Sequence, residues 1–112
     1  MEPVFHVIFL SFSLTATAEQ VAETCNGVLA YQQRCLHPKT GQLLLVSAKG
    51  GVKCGTENLD RGFTHVFVLE FASREDLQVY LKHEHHIGYD VMLEEKGILG
   101  QEMVLDFSPG IF

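Results

Sequence analysis

Residues 64–81 read THVFVLEFASREDLQVYL. Over residues 64–71 the side chains alternate: His65, Phe67, Leu69 and Phe71 share one face, and Val66, Val68 and Glu70 the other, a period of two that fits a strand. Ser73 follows with an N-cap oxygen, Glu75 and Asp76 place carboxylates in the first helical turn, and Leu77, Tyr80 and Leu81 recur at helical spacing. A strand therefore turns directly into an amphipathic helix.

The same grammar extends upstream. In residues 4–12, His6, Ile8, Leu10 and Phe12 fall on one side of an extended chain and Phe5, Val7, Phe9 and Ser11 on the other, so both faces are rich in apolar groups and both need covering. A cleavable leader is the competing reading of this stretch. It carries Glu2 and no basic residue ahead of the apolar run, His6 interrupts it, and it is too short to span a bilayer. Thr17 and Gln20 form a capping box that starts a helix with Val21, Cys25, Val28 and Leu29 as its buried stripe, ending before His37-Pro38. A strand is expected at residues 42–48, and Gly50, Gly51, Gly55 and Gly62 punctuate the loop expected after it.

Downstream, a short helical stretch through Val91 and Met92 ends at Gly97, and residues 101–107 supply a closing strand. The order β-α-β-β-α-β predicts an α+β, ferredoxin-like domain: a four-stranded antiparallel sheet with helices on one face. All 112 residues fit one domain, with 46% hydrophobic and 20% charged residues typical of a globular chain. The net charge of −6, from 14 acidic and 8 basic residues without a basic cluster, argues against nucleic acid as a partner. No membrane partner is expected. Cys25, Cys35 and Cys54 lack paired spacing and fit a reducing, cytoplasmic setting.

The densest chemistry lies in Tyr80-Leu81-Lys82-His83-Glu84-His85-His86. Should the helix persist, Tyr80 and His83 share a face; should it unwind after His83, the later histidines sit at the negative end of the helix dipole, which favours a protonated imidazole. His6 and His65, on apolar faces of strands expected to be neighbours, could look into one cavity or be satisfied core residues. An imidazole that moves a proton beside a phenol that binds an enolate oxygen suits chemistry next to a carbonyl. The histidines lack HExxH spacing and paired cysteines, so no metal is expected, and Cys25 reads as a small core residue rather than a nucleophile.

Gly62-Phe63-Thr64-His65 before a strand, Phe71-Ala72-Ser73 opening a helix, and Tyr80-Leu81-Lys82-His83 with His86 and Gly88 behind it resemble the stress-responsive A/B barrel (Dabb) family. The strands His6-Val7-Ile8-Phe9-Leu10-Ser11-Phe12 and Val104-Leu105-Asp106-Phe107 resemble it too. The resemblance implies a homodimeric α/β barrel. It is strongest to polyketide-cyclising members, which close a linear poly-β-ketone by an intramolecular aldol reaction without cofactor or metal. It assigns catalysis to Tyr80 and His86. His6 and His65 become pocket, substrate-binding histidines, with Ile8, Leu10, Phe67 and Leu69 as apolar lining; His83, which reads equally as a solvated helix-end residue, is expected at the substrate with them. Those members read His-Pro-x-His where this chain has His83-Glu84-His85-His86. They also carry bulky aromatics near Ala22, Cys25 and Gly27, which implies a wider pocket here. A non-catalytic dimer binding a small apolar molecule and a cofactorless oxygenase are the competing functions, because fold alone licenses no reaction.

Overall fold

The computed structural model describes residues 2–112. β1 (Val4–Phe12) leads to α1 (Ala18–Leu29) and the single turn α2 (Tyr31–Arg34). β2 (Leu45–Val52) and β3 (His65–Phe71) follow, then α3 (Arg74–Leu81), α4 (Glu84–Glu95) and β4 (Leu99–Phe107). The sheet order is β2-β3-β1-β4 and every pairing is antiparallel, which is the ferredoxin-like arrangement.

Capping chemistry sets the helix starts. Thr17 Oγ1 accepts the Gln20 amide at 3.1 Å while Gln20 Oε1 accepts the Thr17 amide at 2.9 Å, the reciprocal box. Ser73 Oγ accepts the Asp76 amide at 3.1 Å in the same way. Along α1 the residues buried outright are Thr24 and Val28, with Cys25 and Leu29 only half-buried. Thr24 tolerates burial because its hydroxyl donates to the Gln20 carbonyl at 2.8 Å.

The expected strand at residues 42–48 is displaced towards the C-terminus. Gly50 and Gly51 lie inside β2, paired with Phe67 and Val66, rather than in a loop. Phe67 is the reason: a Cβ on Gly50 would stand 2.2 Å from its ring, so only glycine lets that ring pack on β2. Gly27 has a similar explanation. A Cβ there would stand 2.0 Å from the Tyr89 hydroxyl, so the Tyr89 side chain reaches from α4 onto α1 at this residue and fills the room that the small side chain implied for a wider pocket.

Register divides the sheet into two faces. On the helix face, Ile8, Leu10, Phe67, Leu69 and Phe71 are buried with Val28, Tyr31, Leu77 and Tyr80 as one core. On the other, Phe5, Val7 and Phe9 pair with Phe107, Leu105 and Met103 on one side and with Glu70, Val68 and Val66 on the other. Among the described residues this second face keeps large apolar side chains exposed. Phe5 stacks on Phe107 with centroids 5.3 Å apart, yet Met103, Leu105 and Phe107 stay 40%, 56% and 51% exposed.

Candidate active site

Where α3 meets α4 the chain makes a corner at His83. Its Nδ1 accepts the His85 amide at 3.0 Å, making it the N-cap of α4, and its Nε2 donates to the Leu36 carbonyl at 3.0 Å. Both nitrogens are used in the frame. His83, expected at the substrate, is a capping residue, and it does not line the cavity described below. The corner also reverses the expected electrostatics, because His85 and His86 stand in the first turn of α4, at the positive end of a dipole. Burial, followed by the charges of Arg34, His83 and His86, holds the His85 imidazole below its ordinary value.

This corner folds His86 back over Tyr80. The two rings stack with centroids 4.3 Å apart and planes inclined by 24°. Tyr31, starting α2, presents its edge to both, at 5.6 Å from Tyr80 and 5.5 Å from His86. His6 closes the group from β1, 5.7 Å from Tyr80. The four rings line a cavity of about 180 Å³ together with Ile8, Leu10, Val28, Leu81, Asp90, Leu93, Leu99, Glu102 and Val104.

Two carboxylates orient the imidazoles. His6 Nδ1 donates to Asp106 Oδ1 at 2.5 Å, across the β1–β4 register that pairs these residues. His86 Nε2 lies 3.1 Å from Asp90 Oδ2, one helical turn on. A carboxylate at that place favours the proton on Nε2 and leaves the lone pair on Nδ1. His86 Nδ1 is buried without a hydrogen-bond partner, and so is the Tyr80 hydroxyl. A buried polar atom left unpaired costs about 1–3 kcal/mol, so two of them on residues that line one cavity make it the candidate site. Burial, reinforced by Tyr31, Cys35, Asp90 and Glu102, drives the Tyr80 phenol far above its ordinary value, so it remains a donor at any physiological pH. Burial also raises the Glu102 carboxyl, with Asp90 adding to the effect while His86 and His6 oppose it.

The structure thus brings Tyr80, His86, His6, Ile8 and Leu10 to one cavity and leaves Phe67, Leu69, His65 and His83 outside it. Phe67 and Leu69 are fully buried in the core beneath the helices, packed too tightly to line open space. His65 pairs with Leu10, at the opposite end of the β1–β3 ladder from the Val4–Phe71 pair. Its ring meets Phe12 edge-on at 5.0 Å, and it borders a separate cavity of about 500 Å³ with Phe9, Phe63, Val66 and Met103. His6 and His65 therefore do not share a chamber.

Tyr31, Asp90, Glu102 and Asp106 escaped the sequence reading. The i,i+4 spacing of His86 and Asp90 was available as a signal, and antiparallel pairing of the first and last strands would have put Asp106 opposite His6. Tyr31 had none, since it depends on the break between α1 and α2. Among the described residues no three of His, Cys, Asp and Glu are grouped to hold a metal ion. The thiols are unsuited to nucleophilic work where they are buried: burial raises the Cys35 thiol to about 11.

The family model for the stress responsive A/B barrel domain matches residues 4–108. The stress-response A/B barrel domain-containing protein HS1 of Arabidopsis thaliana is 28% identical over 107 residues, 96% of this chain and 90% of that one. A crystal structure of an Arabidopsis thaliana protein superposes with a TM-score of 0.81 at 26% identity, covering 97% of both chains. The hydroxynitrile lyase of Passiflora edulis gives a TM-score of 0.78 at 18% identity over 99% of this chain and 97% of that one. A dimeric ferredoxin-like protein of Thermobifida fusca gives 0.72 at 14% identity over 96% and 91%.

Proposed function

From the premise that the chain belongs to the stress responsive A/B barrel domain family, we propose that it is a cofactor-independent acid/base enzyme. It forms an enolate from a reactive, polyketide-like carbonyl compound and closes it by an intramolecular aldol step. The observation that carries this reading is the stacked pair of Tyr80 and His86, each with an unpartnered polar atom buried at the same cavity. His86 Nδ1 takes the proton from the carbon between two carbonyls, and the Tyr80 hydroxyl donates to the oxygen on which charge develops. The enolate carbon then attacks a second carbonyl of the same chain. His86 returns its proton to the alkoxide, so the ring closes with no net proton change.

Asp90 holds His86 in the tautomer that works as a base. A positioned base supplies a factor of about 10²–10⁴, and one donor at the oxyanion about 10²–10³. Folding a flexible chain into an attack geometry contributes roughly 7 kcal/mol or more. The inner chamber of about 180 Å³ is below the 300–1,000 Å³ of ordinary ligand pockets. A polyketide therefore fits by extending into the adjoining hollow of about 470 Å³, which shares Asp90, Leu93, Leu99 and Glu102 with it.

The working unit is a homodimer. Its support is the uncovered apolar face of the sheet, together with the dimeric state of the Thermobifida fusca relative in fold. Three unpaired cysteines agree with a cytoplasmic, reducing setting. Among the described residues no helix is long and apolar enough to cross a membrane. The test is incubation of the purified protein with a linear tri- or tetraketide beside Tyr80→Phe and His86→Ala. Cyclised product from the wild type and little from either variant is expected. The same product distribution in all three, matching the spontaneous reaction, leaves a dimer that binds without turnover.

A further inference from the structure

The His6–Asp106 pair joins two cavities, since His6 lines the one that holds Tyr80 and His86 while Asp106 lines another, of about 230 Å³. This second cavity is formed where residues from α3, from the start of β1 and from the end of β4 meet. Val4 and Leu77, both buried, supply its apolar wall, and Arg74, Gln78, Asp106 and Ser108 its polar lining. Arg74 and Gln78 are one helical turn apart and so share a face of α3. Ser108 is only 7% exposed, and its Oγ is buried without a hydrogen-bond partner, the same deficit that Tyr80 and His86 show. Such a group costs about 1–3 kcal/mol until something pairs it. The lining is also balanced in charge. Arg74 can only donate, the Asp106 carboxylate only accept, and the Ser108 hydroxyl and Gln78 amide can do either. A charged ligand group therefore meets an opponent as well as a partner, whereas an uncharged group with acceptor and donor side by side satisfies both.

We infer that this cavity is a second ligand site, which takes a small uncharged primary amide: its carbonyl oxygen accepts from Arg74 and Ser108, its N–H donates to Asp106, and its hydrocarbon rests on Val4 and Leu77. A volume of about 230 Å³ suits a single ring or a short branched chain, below the roughly 300–1,000 Å³ of ordinary ligand pockets. The site communicates with the cavity of Tyr80 and His86 through one carboxylate. Asp106 Oδ1 accepts from His6 Nδ1 at 2.5 Å, yet the Asp106 side chain is still 41% exposed and has room for another donor. A ligand that donates to Asp106 draws charge from the bond that orients His6, so an occupied site loosens the hold on that ring.

Three compounds of one shape test it: benzamide, benzoate and benzamidinium, each titrated into isotope-labelled wild-type protein and followed by NMR at neutral pH. Benzamide is expected to bind about threefold or more tightly than either ion, shifting the Arg74 and Ser108 backbone amides and the Gln78 side chain. Ser108→Ala removes an unpaired hydroxyl, so the unliganded variant should keep its melting temperature while losing about threefold or more of the benzamide affinity. The His6 ring nitrogens should move along the same saturation curve. No shift at Arg74, Gln78 and Ser108, equal affinities across the three compounds, or an affinity unmoved in Ser108→Ala overturns the site; His6 resonances that stay fixed at saturation overturn its link through Asp106. Every reading is of binding, so a protein that cyclises nothing can still bear the site out, and one that cyclises a polyketide without binding benzamide refutes the site alone.

Discussion

The two faces of the four-stranded sheet are made by simple alternation along the same strands, yet they differ in what they leave unsatisfied. On the helix face, Ile8, Leu10, Phe67 and Leu69 vanish into the core, and the remaining room holds polar atoms with no partners. On the other face, Phe5, Val7, Phe9, Val66 and Val68 are half-covered, and the cavity there, of about 500 Å³, is larger and almost wholly apolar. Size alone would favour that face over the one that holds the unpartnered polar atoms. Chemistry is expected where burial has left hydrogen-bonding groups unsatisfied, and association where it has left hydrocarbon uncovered.

The largest effect should come from the helix face. Tyr80→Phe and His86→Ala are each expected to lower the cyclisation rate by about a hundredfold or more, measured as product formed over the spontaneous rate. Tyr80→Phe should leave the melting temperature unchanged or raise it, since it removes an unpaired buried hydroxyl; a large loss of stability would mean the hydroxyl is satisfied after all. The open face should answer differently. Leu105→Asp with Phe107→Asp is expected to weaken self-association by about tenfold or more in sedimentation equilibrium, and an unaltered assembly would assign this face another purpose.

Packing between the helices is a finer probe. Gly27→Ala forces Tyr89 off α1, where its hydroxyl donates to the Glu23 carbonyl at 3.2 Å. Overpacking of this kind costs about 1–3 kcal/mol, visible in a denaturant midpoint, and no change would show that α4 shifts freely.

The smallest effect concerns pH. Burial holds the imidazoles of His65 and His85 below their ordinary 6.5. The unfolded chain therefore takes up protons first, so their contribution to stability is complete above that value and is lost as pH falls through the lower folded values. The denaturant midpoint should decline between about pH 7 and about pH 5, less steeply in His65→Phe. An unchanged slope in that variant would place the titration elsewhere.

Strand and helix order could be read directly, because alternation in residues 64–71 and the capping residues Thr17 and Ser73 are local signals. Tyr80 and His86 stood out for the same reason, through a concentration of titratable side chains. What could not be read depended on contacts between distant segments. Gly50 looks like a loop residue until Phe67 lies across it, and His83 looks like a ligand residue until the Leu36 carbonyl accepts a hydrogen bond from it. His65 shares strand parity with Phe67 and Leu69, but parity says nothing of how far along a strand the helices reach.

β4 has one further implication. It is a nine-residue outer strand whose length and apolar character would invite other chains to add on without limit. Glu102 and Asp106 punctuate it four residues apart, so stacked copies would bring like charges into register. Like charges at those two positions oppose the addition of further copies along this edge.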